Sequence, residues 1–431
     1  KVQLLKLEKD KITKMVLKSS KGTLTFTKKG KEWAVDYPYP VKLKQTSIED
    51  IADSFANLFA EQVVDEKPQD LAQYGLKEPV ATAEATLEGG DTKTVYLGDN
   101  TPAGDTYYLM VKGDPKVYTV WMNHGEHFSY TLSDVRDKSL PQINKEELKY
   151  FRLQPKDGRT IEIRENDKRS EEEAQFGLGV WQMTKPYNEP MGVDGDAFQK
   201  VLEKLPTFDI KDFIDDAPSD MSKYGLDAPS YELVISDKSK ILHLLFGKDA
   251  DDESIYFKTA DSNSVYTMEK SKLDFMAVKP FELVDKFAFI VNIDDVDKII
   301  VEGNGKTHTI TLSRTTKKAE EKDKEDEVIT TYKIDGKEVE EDPFKKYYQS
   351  LIGLLVDAET NEQPKAVPEV KTTFYLNKGK DREINVNYAP YDRDFYVVVR
   401  GGKAEFVINR QQVQDMLNDL ELLIQGKLEK D

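Results

Sequence analysis

The segment His124-Gly125-Glu126-His127 contains residue types that could hold a metal ion. Two histidines three positions apart share one side of a helix, and imidazole nitrogen is a common zinc ligand. A catalytic zinc ion usually has three protein ligands. The chain has only four histidines and no cysteine, so few residues could supply the third ligand. His124 and His127 are therefore the metal candidates, but we expect them to form a surface pair where a strand meets a helix. We expect no cofactor and no bound transition metal.

Acidic residues crowd one predicted hairpin, at Asp249, Asp251, Asp252 and Glu253. They lack the Asp-x-Asp-x-Asp-Gly order that arranges oxygen atoms around calcium, so a solvated hairpin is favoured. The chain also lacks a Gly-rich phosphate loop and a Gly-x-Ser-x-Gly elbow. The sequence therefore predicts that the protein is not an enzyme.

Exposed aromatic side chains could stack on sugars or contact a protein partner. Several tyrosines recur at equivalent positions of predicted strands, which favours core packing for them. Tyr388 and Tyr391 instead flank Ala389-Pro390, and this pattern favours a loop. We predict that Tyr388 and Tyr391 are exposed and contact a partner.

The chain is organised around a pattern that occurs twice, at 68–79 and again 150 residues later at 218–229. The shared positions are Pro68, Asp70, Tyr74, Gly75, Leu76 and Pro79 in the first copy and Pro218, Asp220, Tyr224, Gly225, Leu226 and Pro229 in the second. In each copy the aspartate is predicted to cap one helical turn, and the glycine to end that turn in a left-handed conformation. The last proline then favours an extended strand. We expect both tyrosines to be buried.

The arrangement of strand and helix patterns around these copies predicts an α+β protein. We expect three tandem repeats at 1–138, 139–286 and 287–431, each a mainly antiparallel sheet with one packing helix. In the third repeat Pro368 takes the place of the last proline, and the Tyr-Gly-Leu turn is missing. The charged tract 317–327 and the tract 165–175 are predicted to be solvated hairpin tips.

Charge limits the possible partners. The chain has 62 Lys and Arg residues against 80 Asp and Glu residues, which gives a net charge of −18. This charge repels phosphate backbones, so we expect no nucleic acid partner. The sequence leaves the oligomeric state open.

The pattern Pro-x-Asp-x-x-x-Tyr-Gly-Leu-x-x-Pro, followed by Leu97-Gly98 or Phe246-Gly247, resembles the bacterial family known as domain of unknown function 4340. The resemblance covers essentially the whole chain. It implies an extracytoplasmic protein with one amino-terminal membrane anchor, often encoded near gliding-motility-type ABC transporter components. The numbered chain begins at Lys1 without this anchor, so we expect that an anchor or leader preceded it. The resemblance supplies no catalytic residues.

We therefore expect a non-catalytic extracytoplasmic scaffold or accessory protein that binds a protein partner, and the resemblance implies membrane transporter components as that partner. A cell-surface glycan-binding module is the alternative, and a hydrolase is the third possibility. Aromatic rings exposed in a groove would favour glycan, and a broad apolar patch would favour a protein partner. A deep pocket with perturbed carboxyl pKa values would favour an enzyme.

Overall fold

The computed structural model describes residues 1–166, 174, 176, 179–320 and 324–428. The chain divides into two compact units. The first unit consists of Lys1–Ser139 and Asp209–Pro218, and the second consists of Leu140–Phe208 and Ser219–Asp431. The predicted domain division at 1–138, 139–286 and 287–431 stays a prediction. Three large sheets nevertheless follow one another along the chain.

The first sheet lies in the first unit. The strands are β1 (Val2–Lys6), β2 (Ile12–Ser19), β3 (Gly22–Lys29), β4 (Glu32–Val35), β5 (Asn57–Ala60), β6 (Gln62–Asp65), β7 (Ala81–Leu87), β8 (Thr92–Asn100), β9 (Thr106–Val111) and β10 (Val117–Trp121), and the helices are α1 (Gln45–Ala56), α2 (Met122–Phe128) and α3 (Leu132–Val135). Strands β1 and β5 pair with each other, and the remaining strands follow the order β4-β3-β2-β7-β8-β9-β10-β6.

The second sheet lies in the second unit. The next strands are β11 (Leu148–Pro155), β12 (Ile161–Glu165), β13 (Trp181–Lys185), β14 (Met191–Gly192), β15 (Asp212–Asp215), β16 (Tyr231–Asp237), β17 (Ile241–Asp249), β18 (Ser254–Thr259) and β19 (Val265–Glu269), with helices α4 (Gly195–Glu203) and α5 (Pro280–Leu283). Strand β15 belongs to the first unit. The others follow the order β14-β13-β12-β11-β16-β17-β18-β19.

The third sheet also lies in the second unit. Its strands are β20 (Val296–Gly303), β21 (Lys306–Lys317), β22 (Glu327–Ile334), β23 (Lys337–Val339), β24 (Ala358–Glu359), β25 (Val370–Leu376), β26 (Glu383–Pro390), β27 (Phe395–Arg400) and β28 (Lys403–Asn409), with helices α6 (Glu341–Ile352) and α7 (Arg410–Ile424). The strand order is β23-β22-β21-β20-β25-β26-β27-β28-β24.

All three sheets share one topology. In each, the first strand of an opening meander pairs antiparallel with the first strand of a second, four-stranded meander, through β2–β7, β11–β16 and β20–β25. A helix connects the two meanders and buries its apolar side; Ile48, Ile51 and Phe55 of α1, for example, are 0 % exposed. The predicted α+β fold of tandem antiparallel repeats is confirmed.

The repeated pattern forms the predicted turn in the first two repeats. Short 3-10 helices run over Ala72–Tyr74 and Met221–Tyr224, and further ones over Lys9–Lys11, Lys145–Glu147, Lys270–Ala277 and Ile293–Asp295. Oδ1 of Asp70 accepts the Ala72 N–H at 2.9 Å, and Asp220 accepts the Ser222 N–H at 2.9 Å. Gly75 and Gly225 have φ of 67° and 69°, a conformation that glycine adopts without a steric penalty. In the third repeat the described residues 360–369 form no helical turn.

The two motif tyrosines have equivalent contacts but different exposure. The Tyr74 ring lies 5.1 Å from that of Tyr108, and the Tyr224 ring lies 5.1 Å from that of Tyr256. Tyr224 is buried, as expected, whereas Tyr74 is half-buried. The Tyr74 hydroxyl donates to Asp65 at 3.1 Å.

The two predicted hairpin tips lie partly outside the described residues. Strands β21 and β22 pair up to Lys317 and Glu327, which confirms a hairpin at the tract 317–327, but residues 321–323 lie outside the described part. In the tract 165–175, residues 167–173 and 175 lie outside it.

A candidate ligand-binding cavity

The second unit contains a cavity of about 690 Å³, a size typical of ligand pockets. Its walls come from β13, the connection from β13 to β14, the β25–β26 hairpin and the β27–β28 hairpin. The lining residues are Ala174, Phe176, Gln182, Glu189, Pro190, Phe289, Lys378, Gly379, Lys380, Asp381, Glu383, Ile384, Asn385, Asn387, Val399, Arg400, Gly401 and Gly402. Residues far apart in sequence therefore meet around one cavity.

The β27–β28 turn requires glycine. Gly401 and Gly402 stand between the paired residues Arg400 and Lys403, with φ of 54° and 76°. Positive φ at both central positions is typical of a two-residue hairpin turn. A Cβ atom on Gly401 would also lie 2.0 Å from Oε1 of Glu189, so the turn approaches the β13–β14 connection closely. This close approach forms one side of the cavity.

Arg400, the last residue of β27, places a half-buried cation in the cavity wall. Its Nη2 donates to the Pro190 carbonyl at 3.2 Å, its Nη1 contacts Sδ of Met191 at 3.0 Å, and its Cζ lies 5.7 Å from the Phe289 ring centre. Burial lowers the pKa of the guanidinium, and the negative charge of Glu189 opposes this change. Arg400 forms no ion pair with any described residue.

The remaining polar groups of the cavity have mixed roles. Lys378 pairs with Asp295 at 3.2 Å, and Oδ1 of Asn385 accepts the Thr373 hydroxyl at 2.9 Å. Oδ1 of Asn387 is buried and has no hydrogen-bond partner among the described residues. An unpaired buried acceptor carries a free-energy cost in the folded protein.

A carboxyl group lies in a small void that shares Arg400 and Phe289 with the cavity. Asp285 accepts the Phe287 N–H at 3.2 Å, and a Cβ atom on Gly192 would lie 1.8 Å from its Oδ2. Burial raises the pKa of Asp285, while the Phe287 N–H and the charge of Arg400 act in the opposite direction. Asp285 therefore caps its own turn.

The histidine candidates lie outside this cavity, on α2 directly after β10. Nδ1 of His124 lies 2.9 Å and Nδ1 of His127 lies 2.8 Å from Oγ of Ser54, a residue of α1 that is 2 % exposed. A hydroxyl has one proton, so Ser54 donates to one imidazole and accepts from the other. The pair occupies the predicted strand-to-helix junction but is half-buried rather than on the surface.

Nothing in the described ranges adds ligands to this pair. No group of three or more His, Cys, Asp or Glu side chains in those ranges is arranged to hold a metal ion. In the acidic hairpin, Asp249 pairs with Lys270 at 2.7 Å, and Oδ1 of Asp251 accepts the Glu253 N–H at 2.9 Å. These contacts stabilise the hairpin.

Acidification should destabilise the first unit through His124 and His127. Burial lowers the pKa of both imidazoles; the charge of His127 lowers that of His124 further, while Asp50, Glu126 and Asp53 partly offset the change at His127. In the unfolded chain each histidine takes up a proton near its ordinary pKa of about 6.5. The folded unit binds these protons only at lower pH, so stability is full above about pH 6.5 and is lost as the pH falls towards the folded pKa.

Urea unfolding at about pH 8 and about pH 5 tests this expectation by comparing the wild type with His127→Asn, which places an amide near the position of Nδ1. The wild type should lose more stability on acidification than the variant. An equal loss in both proteins would contradict the expectation. His308→Asn is the matched control of opposite sign: burial pulls the pKa of His308 down, but hydrogen bonds to Asp335 and Glu421 hold it above its ordinary value. The stability that His308 contributes is present below about pH 6.5 and is lost as the pH rises through its pKa in the folded protein.

One of the two predicted contact tyrosines differs from expectation. Tyr388 is 2 % exposed, so its assignment to an exposed loop is wrong. It lies within β26 between Val370 and Val398 on the neighbouring strands, and Pro390 occupies the last position of that strand. Tyr391 follows the strand and is 37 % exposed, and its role as a contact residue stays a prediction.

The cavity residues were not predictable from the sequence. Gln182 and Arg400 are 218 positions apart, and neither belongs to a recognisable motif. The one local signal was Arg400-Gly401-Gly402, in which a charged residue directly precedes a two-glycine hairpin turn.

The fold and the cavity together define an α+β tandem-repeat protein with a polar ligand-sized cavity in its second unit. The chain belongs to the family described as Domain of unknown function (DUF4340), which matches residues 33–180 and 181–369. These two segments contain the two full copies of the Tyr-Gly-Leu pattern. No curated protein and no solved structure matches the chain significantly. Among the helices that the structure describes, none combines the length and the apolar character needed to cross a membrane.

Proposed function

We propose that the chain is a non-catalytic binding protein that holds a segment of a protein partner in the cavity of its second unit. The observation that carries this proposal is the chemistry of the lining, which combines charged groups of both signs with the amides of Gln182, Asn385 and Asn387. Side-chain amides donate and accept hydrogen bonds, as peptide groups do, so the lining suits a polypeptide segment.

The lining gives less support to the two other functions. A glycan site would present an exposed aromatic face, whereas Phe289 is 6 % exposed and Phe176 is half-buried. One observation favours the hydrolase function, namely the raised pKa of Asp285. The described lining contains no Ser, Thr, Cys, Tyr or His that could act as a nucleophile or base beside it.

The setting of this activity is proposed from the family pattern. An extracytoplasmic location, an amino-terminal membrane tether and a partner among membrane transporter components are consistent with the resemblance described above. A membrane-tethered binding protein gains effective concentration for a partner in the same membrane, so a modest cavity affinity suffices.

Site-specific photo-crosslinking in native membranes tests the proposal. A photoreactive amino acid replaces Lys380, an exposed residue at the cavity, and the matched control carries it at Lys371, an exposed residue of β25 outside the lining. The Lys380 position should crosslink one protein that mass spectrometry identifies and that captures this chain in the reciprocal experiment. Equal crosslinking at both positions, or none at Lys380, would overturn the proposal. Binding to an oligosaccharide array instead would favour the glycan function.

A further inference from the structure

We infer that the cavity selects an acidic residue of the bound segment, whose carboxylate pairs with Arg400. The inference rests on the proposed function, because it names the group of the partner that the cavity recognises. Its test uses small molecules as well as the partner, so the two proposals can fail separately.

The unused capacity of Arg400 is the first observation. Its guanidinium contacts one carbonyl at 3.2 Å and one thioether sulfur at 3.0 Å, and sulfur is a weak acceptor. Its planar array of N–H groups can make more bonds than these and matches the two oxygens of a carboxylate. A half-buried cation without an ion pair among the described residues is stabilised by an incoming anion.

The charge balance of the lining limits the size of that anion. Three cations (Lys378, Lys380 and Arg400) face three carboxylates (Glu189, Asp381 and Glu383). The carboxylates repel a polyanion, so a polyphosphate or nucleic acid fits poorly. A single carboxylate on an otherwise neutral group suits a site in which one arginine retains free donors.

Arg400 carries this recognition without Asn387. Asn387 pairs with Val399 across β26 and β27, whereas Arg400 pairs with Val386. Successive residues of a strand point to opposite faces, so the side chains of Asn387 and Arg400 lie on opposite faces of the sheet. The contact that we assign is therefore the carboxylate alone, which an acidic side chain of the bound segment presents.

Two minimal probes isolate the carboxylate. N-acetylglycine carries an amide N–H and a carboxylate, and N-acetylglycinamide has the same shape without the charge. In ligand-observed NMR titrations of the whole chain, N-acetylglycine should bind about tenfold or more tightly, as expected for a charge-assisted hydrogen bond. Equal affinities would overturn the inference.

Variants of Arg400 assign the preference to this residue. Arg400→Met should abolish the difference between the probes, and Arg400→Lys should retain only part of it, because lysine keeps the charge but not the planar fork. The matched control is Arg393→Met, which removes a cation from the same repeat at a side chain that is 93 % exposed, and it should behave as the wild type. If Arg400→Met melts early, Arg400→Lys carries the test, and an unchanged preference in that variant would overturn the inference.

The outcomes separate this inference from the proposed function. If Arg400→Met crosslinks the partner as well as the wild type does, a protein partner stands and the carboxylate contact is wrong. If N-acetylglycine binds through Arg400 but the Lys380 position crosslinks no protein, the anion site stands and the partner-binding function is wrong.

Discussion

Arg136→Met should destabilise the first unit by about 3–5 kcal/mol, the effect expected when one member of a buried ion pair is removed. Nη1 and Nη2 of Arg136 each donate to a different carboxylate oxygen of Asp216 at 2.9 Å. The two side chains are only 6 % and 11 % exposed. Removal of the guanidinium therefore takes two charge-assisted hydrogen bonds from a buried carboxylate.

Other groups of the first unit increase the cost of this change. The Phe213 ring lies 3.8 Å from Cζ of Arg136, and the Tyr37 hydroxyl donates to Asp216 at 2.7 Å. The hydrogen bond to Asp216 raises the pKa of Tyr37. These contacts join 209–218 to the main part of the first unit, so their loss should unfold both segments together.

Urea unfolding of Arg136→Met, with Lys11→Met as the control, measures the effect. Lys11 pairs with Glu8 on the surface, where solvent screening leaves a salt bridge with little effect on stability. The double variant Arg136→Met with Asp216→Leu should recover much of the loss, because apolar replacement of both partners removes the buried charge. A loss below about 1 kcal/mol in the single variant would show that the pair does not hold the segment.

The sequence predicted the features that depend on local chemistry. The caps at Asp70 and Asp220 and the left-handed glycines Gly75 and Gly225 are determined by neighbouring residues, so the turn was predictable. Helix α1 shows the limit of this approach. It begins at Gln45, whose side chain accepts the Trp33 N–H at 2.8 Å and donates to the Trp33 carbonyl at 3.0 Å, a pairing that no local pattern marks.

Features that depend on contacts distant in sequence were not predictable. Arg136 and Asp216 are 80 residues apart, and nothing local marks that aspartate among the 80 acidic residues of the chain. The cavity has the same origin, since Gln182, Asn387 and Arg400 meet only after two repeats have folded. Tyr388 was placed in a loop because Pro390 is typical of a turn, whereas here it ends a strand.

Gly98 and Gly247, the glycines of the Leu-Gly and Phe-Gly steps, should tolerate substitution poorly. A Cβ atom on Gly98 would lie 2.1 Å from the Tyr74 carbonyl oxygen, and one on Gly247 would lie 2.0 Å from that of Tyr224. The obstacle in both cases is backbone, which cannot rotate away as a side chain can. Glycine at the Leu-Gly and Phe-Gly steps of the family pattern therefore lets the Tyr-Gly-Leu turn pack directly against the strand.

Gly247→Ala should destabilise the second unit by about 3 kcal/mol, the upper part of the usual range for overpacking. Gly225→Ala combines positive φ with a Cβ contact of 2.9 Å to the Lys248 nitrogen and should also destabilise. Gly195→Ala is the control, because no atom lies within 4 Å of its Cβ position, and alanine should be neutral or slightly stabilising in this helix. Thermal melts of the three variants measure the order. If Gly247→Ala and Gly195→Ala melt at the same temperature, the close approach of the turn to the strand does not explain the glycine at position 247.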